Sequence, residues 1–120
     1  MDGNIGGSLQ RAVVARYFEM WNTGDSSIAL EILSPGWVDH AHPEVAGPEG
    51  VRQSVDAVRA AQPELRFHIT ALLGDGDLIS AVGGVGRGAS AEATTSQLIW
   101  LIRLEGRQLA EMWTYRRTTA

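Results

Sequence analysis

The chain has 120 residues, 44% of them hydrophobic and 20% charged, which is enough for one domain with its own core. Its longest aliphatic and aromatic run, residues 98–102, is far too short to cross a bilayer, and a net charge of −4 with ten scattered arginines and no lysine argues against a nucleic-acid surface. With no cysteine, disulfides and thiolate chemistry are excluded; with no basic, apolar leader, the expected compartment is the cytoplasm and residues 1–8 read as a disordered tail before a single domain over 9–117.

Ser8 is placed to cap a first helix that runs to about Asn22. Val13, Tyr17 and Trp21 are four apart and stack along one face, with Val14 and Phe18 beside them. A helix apolar over so much of its circumference belongs in a cavity wall. Tyr17 carries a hydroxyl into that wall, and a buried hydroxyl needs a partner. Gly24 suits the left-handed position past the helix end. Asp25 or Ser26 can cap a short second helix through Ile28, Leu30 and Leu33, which Ser34-Pro35-Gly36 ends.

Residues 37–42, Trp-Val-Asp-His-Ala-His, form a short extended piece before Pro43. Pro48 opens a third helix with Val51, Val55 and Val58 on its apolar face, and Gln62-Pro63 closes it. The rest reads as strand: 66–73, a turn at 74–77, 78 to about 85, a glycine-rich connection at 86–90, then 94–104 and 109–116 around Glu105-Gly106-Arg107. Helices first and hairpins after make an α+β fold: three N-terminal helices packed in the concave face of a curved antiparallel sheet.

Residues 98–102 do not alternate, so both faces of that strand require cover. The helices can cover one. The other carries Ile99, Leu101, Arg103, Glu111, Trp113 and Tyr115, and a homodimer through Ile99, Leu101, Trp113 and Tyr115 is the expected cover.

The order and spacing of Arg-Tyr-Phe-Glu-Met-Trp-Asn-Thr-Gly-Asp (16–25), Trp-Val-Asp-His (37–40), Gly-Pro-Glu-Gly (47–50), Gly-Asp-Gly-Asp (74–77) and Glu-Met-Trp (111–113) resemble the SnoaL-like polyketide cyclases. Those belong to the cone-shaped α+β barrel superfamily (a cystatin-like roll) of ketosteroid isomerase and scytalone dehydratase. The resemblance implies that fold and no metal or nucleotide cofactor, but not one reaction. The acid–base aspartate of the anthracycline-type cyclases falls on Thr114, and their supporting tyrosine, asparagine and histidine fall on Trp21, Ser54 and Trp100, so that mechanism is not expected. The oxyanion-binding tyrosine of the isomerase falls on Tyr17. Its second, protonated aspartate falls on Trp100, whose indole N–H can still donate, and its basic aspartate falls near His40, with Asp39 and His42 as rivals.

The expected catalytic group is therefore His40 as general base, Tyr17 as donor to the oxyanion, and Trp100 as its helper. Trp21, Trp37, Ser54, His68, Met112 and Thr114 are the expected substrate contacts, with the tryptophans lining a pocket for a flat or polyene molecule and Met112 as adaptable filler. His40, His42 and His68 lack a regular ligand spacing, so no metal is expected. The glycines of 83–88 precede strands and no helix, so they are not a dinucleotide loop. The expected function is a cyclase or isomerase, or a dehydratase, acting on an apolar carbonyl-containing polyketide-type intermediate. The alternative is a non-catalytic domain of the same fold that binds a small molecule or a partner.

Overall fold

A computed structural model describes residues 5–88 and 94–116, with side chains described over 9–88 and 97–116. The elements are α1 (Ile5–Thr23), α2 (Ile28–Ile32), β1 (Leu33–Asp39), α3 (Gly47–Ala61), β2 (Leu65–Leu73), β3 (Leu78–Arg87), β4 (Thr94–Glu105) and β5 (Gln108–Arg116). They form one five-stranded sheet in the order β1-β5-β4-β3-β2, with the helices packed on one face. The architecture is α+β, as expected, with two differences. The sheet is mixed, because β1 pairs parallel to β5, and it is not closed: β1 and β2 are its free edges. No described helix is long and apolar enough to cross a membrane.

The helix α1 starts at Ile5, so Ser8 lies inside it and does not cap it; residues 1–4 are outside the described residues. Its first turns are tied to the β2–β3 turn, where Arg11 Nη1 donates to Gly74 O at 2.7 Å and to Asp75 Oδ1 at 2.9 Å. Val14, Tyr17, Phe18 and Met20 are all buried beneath it. Leu33 is already extended, so Ser34-Pro35-Gly36 continues into a strand where a stop was expected. An edge strand tolerates proline, and the β1–β5 register breaks between Leu33 and Val38 to accommodate it.

The other edge, β2, is clipped by the end of α1. Asn22 Nδ2 donates to Phe67 O at 2.9 Å and Phe67 N–H donates to Asn22 Oδ1 at 2.8 Å, so one amide imitates a neighbouring strand. The strand β3 runs on through Gly86 and Arg87, past the expected end at 85; residues 89 and 90 of the expected connection lie outside the described residues. Gly83 is required there. A Cβ at that position would stand 2.0 Å from His68 O, and the β2–β3 pairing shifts register close by, between Ile69 and Ala71.

Alternation along the strands sorts the side chains between two faces. Trp37 and Asp39 of β1, Ala81 of β3, Leu98, Trp100 and Ile102 of β4, and Met112 of β5 turn towards the helices. Ile99, Leu101, Arg103, Glu111, Trp113 and Tyr115 share the outer face, as expected.

Candidate functional site

Between the helices and the inner face of the sheet lies a cavity of about 590 Å³. Its walls are mostly apolar, with Val45, Val51, Phe67 and Met112 among them, and its polar lining is sparse. Tyr17 and Trp21 come from α1, Ser54 from α3, Asp39 from the end of β1, Trp100 from β4 and Thr114 from β5. Trp100 and Thr114 are cross-strand partners, and Asp39 is level with Met112, two residues before Thr114. His42, Glu44 and Arg116 also line the cavity, with His42 Nδ1 3.5 Å from Glu44 Oε2.

Tyr17 is 4% exposed. Its ring meets Phe18 edge-on at 5.2 Å and rests on Trp37 at 5.7 Å, which fixes its orientation. Burial raises its phenol far above the ordinary tyrosine range, the nearby Asp39 charge adds to this, and a hydrogen bond from Trp21 opposes it. The group therefore stays protonated and remains a neutral donor.

Asp39 is 7% exposed. The Ala41 N–H donates to its Oδ1 at 3.0 Å. Burial raises its carboxyl above the ordinary aspartate range, and the backbone donors of Ala41 and His42 offset only part of that. A carboxylate held in an apolar cavity is a stronger base than one in water.

His40 is not in this cavity. It directly follows Asp39, the last residue of β1, and its side chain lies on the outer face beside Glu111 and Trp113, 43% exposed. There Nε2 is 2.6 Å from Glu111 Oε2, the ring lies on Trp113 at 5.1 Å and 8°, and Glu111 Oε1 accepts from Arg103 Nε at 2.9 Å. The expectation that His40 meets Tyr17 in one funnel fails on this geometry, and Asp39 occupies the place assigned to it. The signal for this was present in the sequence: Trp37 is the largest apolar residue of the strand, and whichever face it buries also receives residue 39.

His68 is likewise outside. Phe67 and Ile69 pack inward, so His68 faces outward and lines a separate hollow over Gly83 and Gly84, its Nε2 buried with no hydrogen-bond partner among the described residues. Trp37 is 3% exposed and supports Tyr17 from behind without lining the cavity, its indole N–H unpartnered among the described residues. Trp100, the expected helper of Tyr17, and four of the expected substrate contacts, Trp21, Ser54, Met112 and Thr114, line the cavity with Tyr17. Trp100 packs against Phe18 at 4.8 Å and Phe67 at 5.9 Å. Among the described residues, no three His, Asp or Glu side chains gather as a metal site requires.

Three solved structures illustrate the likeness of the fold. A protein from Jannaschia sp. assigned as a SnoaL-like polyketide cyclase is 17% identical, with a TM-score of 0.73 over 93% of this chain and 88% of that one. One from Agrobacterium tumefaciens assigned as an isomerase of the SnoaL-like family is 13% identical, with a TM-score of 0.71 over 92% and 99%. IdmH from Streptomyces antibioticus, assigned as a polyketide cyclase, is 18% identical, with a TM-score of 0.68 over 88% and 89%. At these identities the likeness is one of fold. No curated protein sequence matches the chain. The SnoaL-like domain model matches residues 14–112, and the chain belongs to the SnoaL-like domain family.

Proposed function

We propose that the chain is a small cytoplasmic cyclase or isomerase that needs neither metal nor nucleotide and acts on an apolar, carbonyl-containing intermediate of the polyketide type. One observation carries the reading: a buried carboxylate, Asp39, and a buried neutral phenol, Tyr17, line the same apolar cavity. Membership of the SnoaL-like family and a fold shared with proteins assigned as polyketide cyclases and an isomerase support this class of chemistry.

In this mechanism Asp39 takes a proton from the carbon alpha to the carbonyl. Electron density moves to the carbonyl oxygen, where the Tyr17 O–H and the Trp100 indole N–H donate to the forming enolate. The apolar walls keep water from the enolate and from the acid now on Asp39. Asp39 then returns its proton to another carbon of the extended enolate, which shifts a double bond. Alternatively the enolate carbon attacks a second carbonyl carbon of the same molecule; the π electrons of that C=O move to its oxygen, which takes the proton held on Asp39, and a ring bearing a hydroxyl is formed. The hydroxyls of Ser54 and Thr114 are available to further oxygens of the substrate.

The first half of either reaction can be measured without the natural substrate. A fused-ring ketone such as 2-tetralone, incubated with the protein in D2O, exchanges its alpha hydrogens if the reading holds. Exchange no faster than buffer across a panel of such ketones overturns it. Saturable ketone binding without exchange identifies a small-molecule-binding domain instead.

A further inference from the structure

The inner face of the sheet stays apolar until it nears the mouth of the cavity. There β4 buries Leu104, Ile102 and Trp100, and β5 buries Leu109 and Met112. The next residue of β5 to line the cavity is Thr114. Helix α3 repeats the pattern from the opposite wall. Its stripe along the cavity is Val51, Ser54 and Val58, a serine between two valines.

Both residues are half-buried, and neither hydroxyl has a hydrogen-bond partner among the described residues. Ser54 does not bond the carbonyl one turn behind it, the local partner open to a helical serine. Two free hydroxyls from separate elements therefore line a pocket whose walls are otherwise mostly apolar. An apolar group seated against them would leave them unsatisfied, whereas an oxygen would not.

The strand registers fix where this pair stands. Asp39 is level with Met112, and Thr114 is two residues further along β5, about 6.6 Å nearer the mouth. Burial falls in that direction, from Met112 through Thr114 to the exposed Arg116. The loop after β1 leaves by the same end, because β1 and β5 are parallel. Trp100 is level with Thr114, but its ring turns the other way, onto Phe18 of α1 and Phe67 of β2. The donors for the reacting carbonyl thus stand on the α1 side, and Ser54 and Thr114 stand on α3 and β5.

We propose that Ser54 and Thr114 are specificity-determining residues that hold a second oxygen of the substrate. The cavity then selects an elongated fused-ring ketone with an oxygen at each end, and admits it reacting end first. That order of ends rests on the reaction proposed above; the second oxygen site does not.

The test compares 6-hydroxy-2-tetralone with 6-methyl-2-tetralone, which has nearly the same shape and no second oxygen. Trp21 and Trp100 line the cavity, so quenching of tryptophan fluorescence reads both affinities without turnover. The wild type binds the hydroxy ketone about 10-fold more tightly, as two modest hydrogen bonds give. Ser54→Ala/Thr114→Val brings the ratio of the two affinities to about one. Thr114→Ser, which keeps the hydroxyl, retains the wild-type ratio. A ratio cancels any general loosening of the pocket, so a purely structural role for either side chain leaves it unchanged. Equal affinities in the wild type, binding of neither ketone, or a preference that survives in the double variant overturns the proposal. Preferential binding without alpha-hydrogen exchange refutes the reaction and upholds the second oxygen site; exchange without the preference does the reverse.

Discussion

Replacing Asp39 by asparagine removes a charge and a base while leaving almost everything else in place. The side chain keeps its volume, and the amide oxygen can still accept the Ala41 N–H that now reaches Oδ1 at 3.0 Å. At 7% exposure no bulk water stands ready to replace the lost carboxylate. A positioned base contributes roughly 10²–10⁴-fold in rate, so Asp39→Asn should slow alpha-hydrogen exchange of 2-tetralone at least about 100-fold, or about 2.7 kcal/mol of barrier. The assay is proton NMR or mass spectrometry of the ketone in D2O. Because burial raises the Asp39 carboxyl, wild-type exchange should climb with pH through a midpoint above the ordinary carboxylate range and then level off. The same shift has a signed effect on stability. A carboxyl whose folded pKa lies above its unfolded value favours the fold in acid and loses that contribution as pH rises through the folded pKa. Asp39→Asn should therefore melt higher than wild type at neutral pH, with the gap closing in acid below the unfolded value. Exchange by Asp39→Asn within a factor of about three of wild type, with the wild-type pH profile, refutes the assignment of the base.

Tyr17→Phe keeps the ring contacts with Phe18 and Trp37 and loses one donor, so exchange should fall by about 100-fold, near 3 kcal/mol, with little change in ketone affinity measured by fluorescence titration. His40→Ala should leave the exchange rate and its pH midpoint unchanged, because the imidazole is on the far side of the sheet from the cavity; a drop as large as that of Asp39→Asn would return the base role to His40. Gly83→Ala must push a Cβ off His68 O, 2.0 Å away, and since the obstacle is backbone, the cost should be about 3 kcal/mol, seen as a fall of about 10 °C in melting temperature.

Much of the site is legible in the chain because helical spacing is local. Val14, Tyr17, Phe18 and Trp21 recur at intervals that only one helix face can satisfy, and the non-alternating stretch from Leu98 to Ile102 places Trp100 inward beside Met112 and Thr114 once a hairpin is granted. The order of helices and strands follows from the same kind of evidence, since caps, prolines and glycine turns act within a few residues of where they stand.

What only the tertiary structure decides is which way a short edge strand faces and which neighbour it pairs with. On β1 a slip of one residue exchanges Asp39 for His40. The parity was settled by the burial of Trp37 behind Tyr17, 20 residues earlier in the chain, and by Glu111, 71 residues later, which holds His40 at 2.6 Å outside. The parallel pairing of β1 with β5 is likewise made by residues far apart in sequence, so no local pattern announces it. Short-range stereochemistry is written into consecutive residues, but the face a half-buried strand presents depends on what packs above and beneath it, and that exists only after the chain has closed on itself.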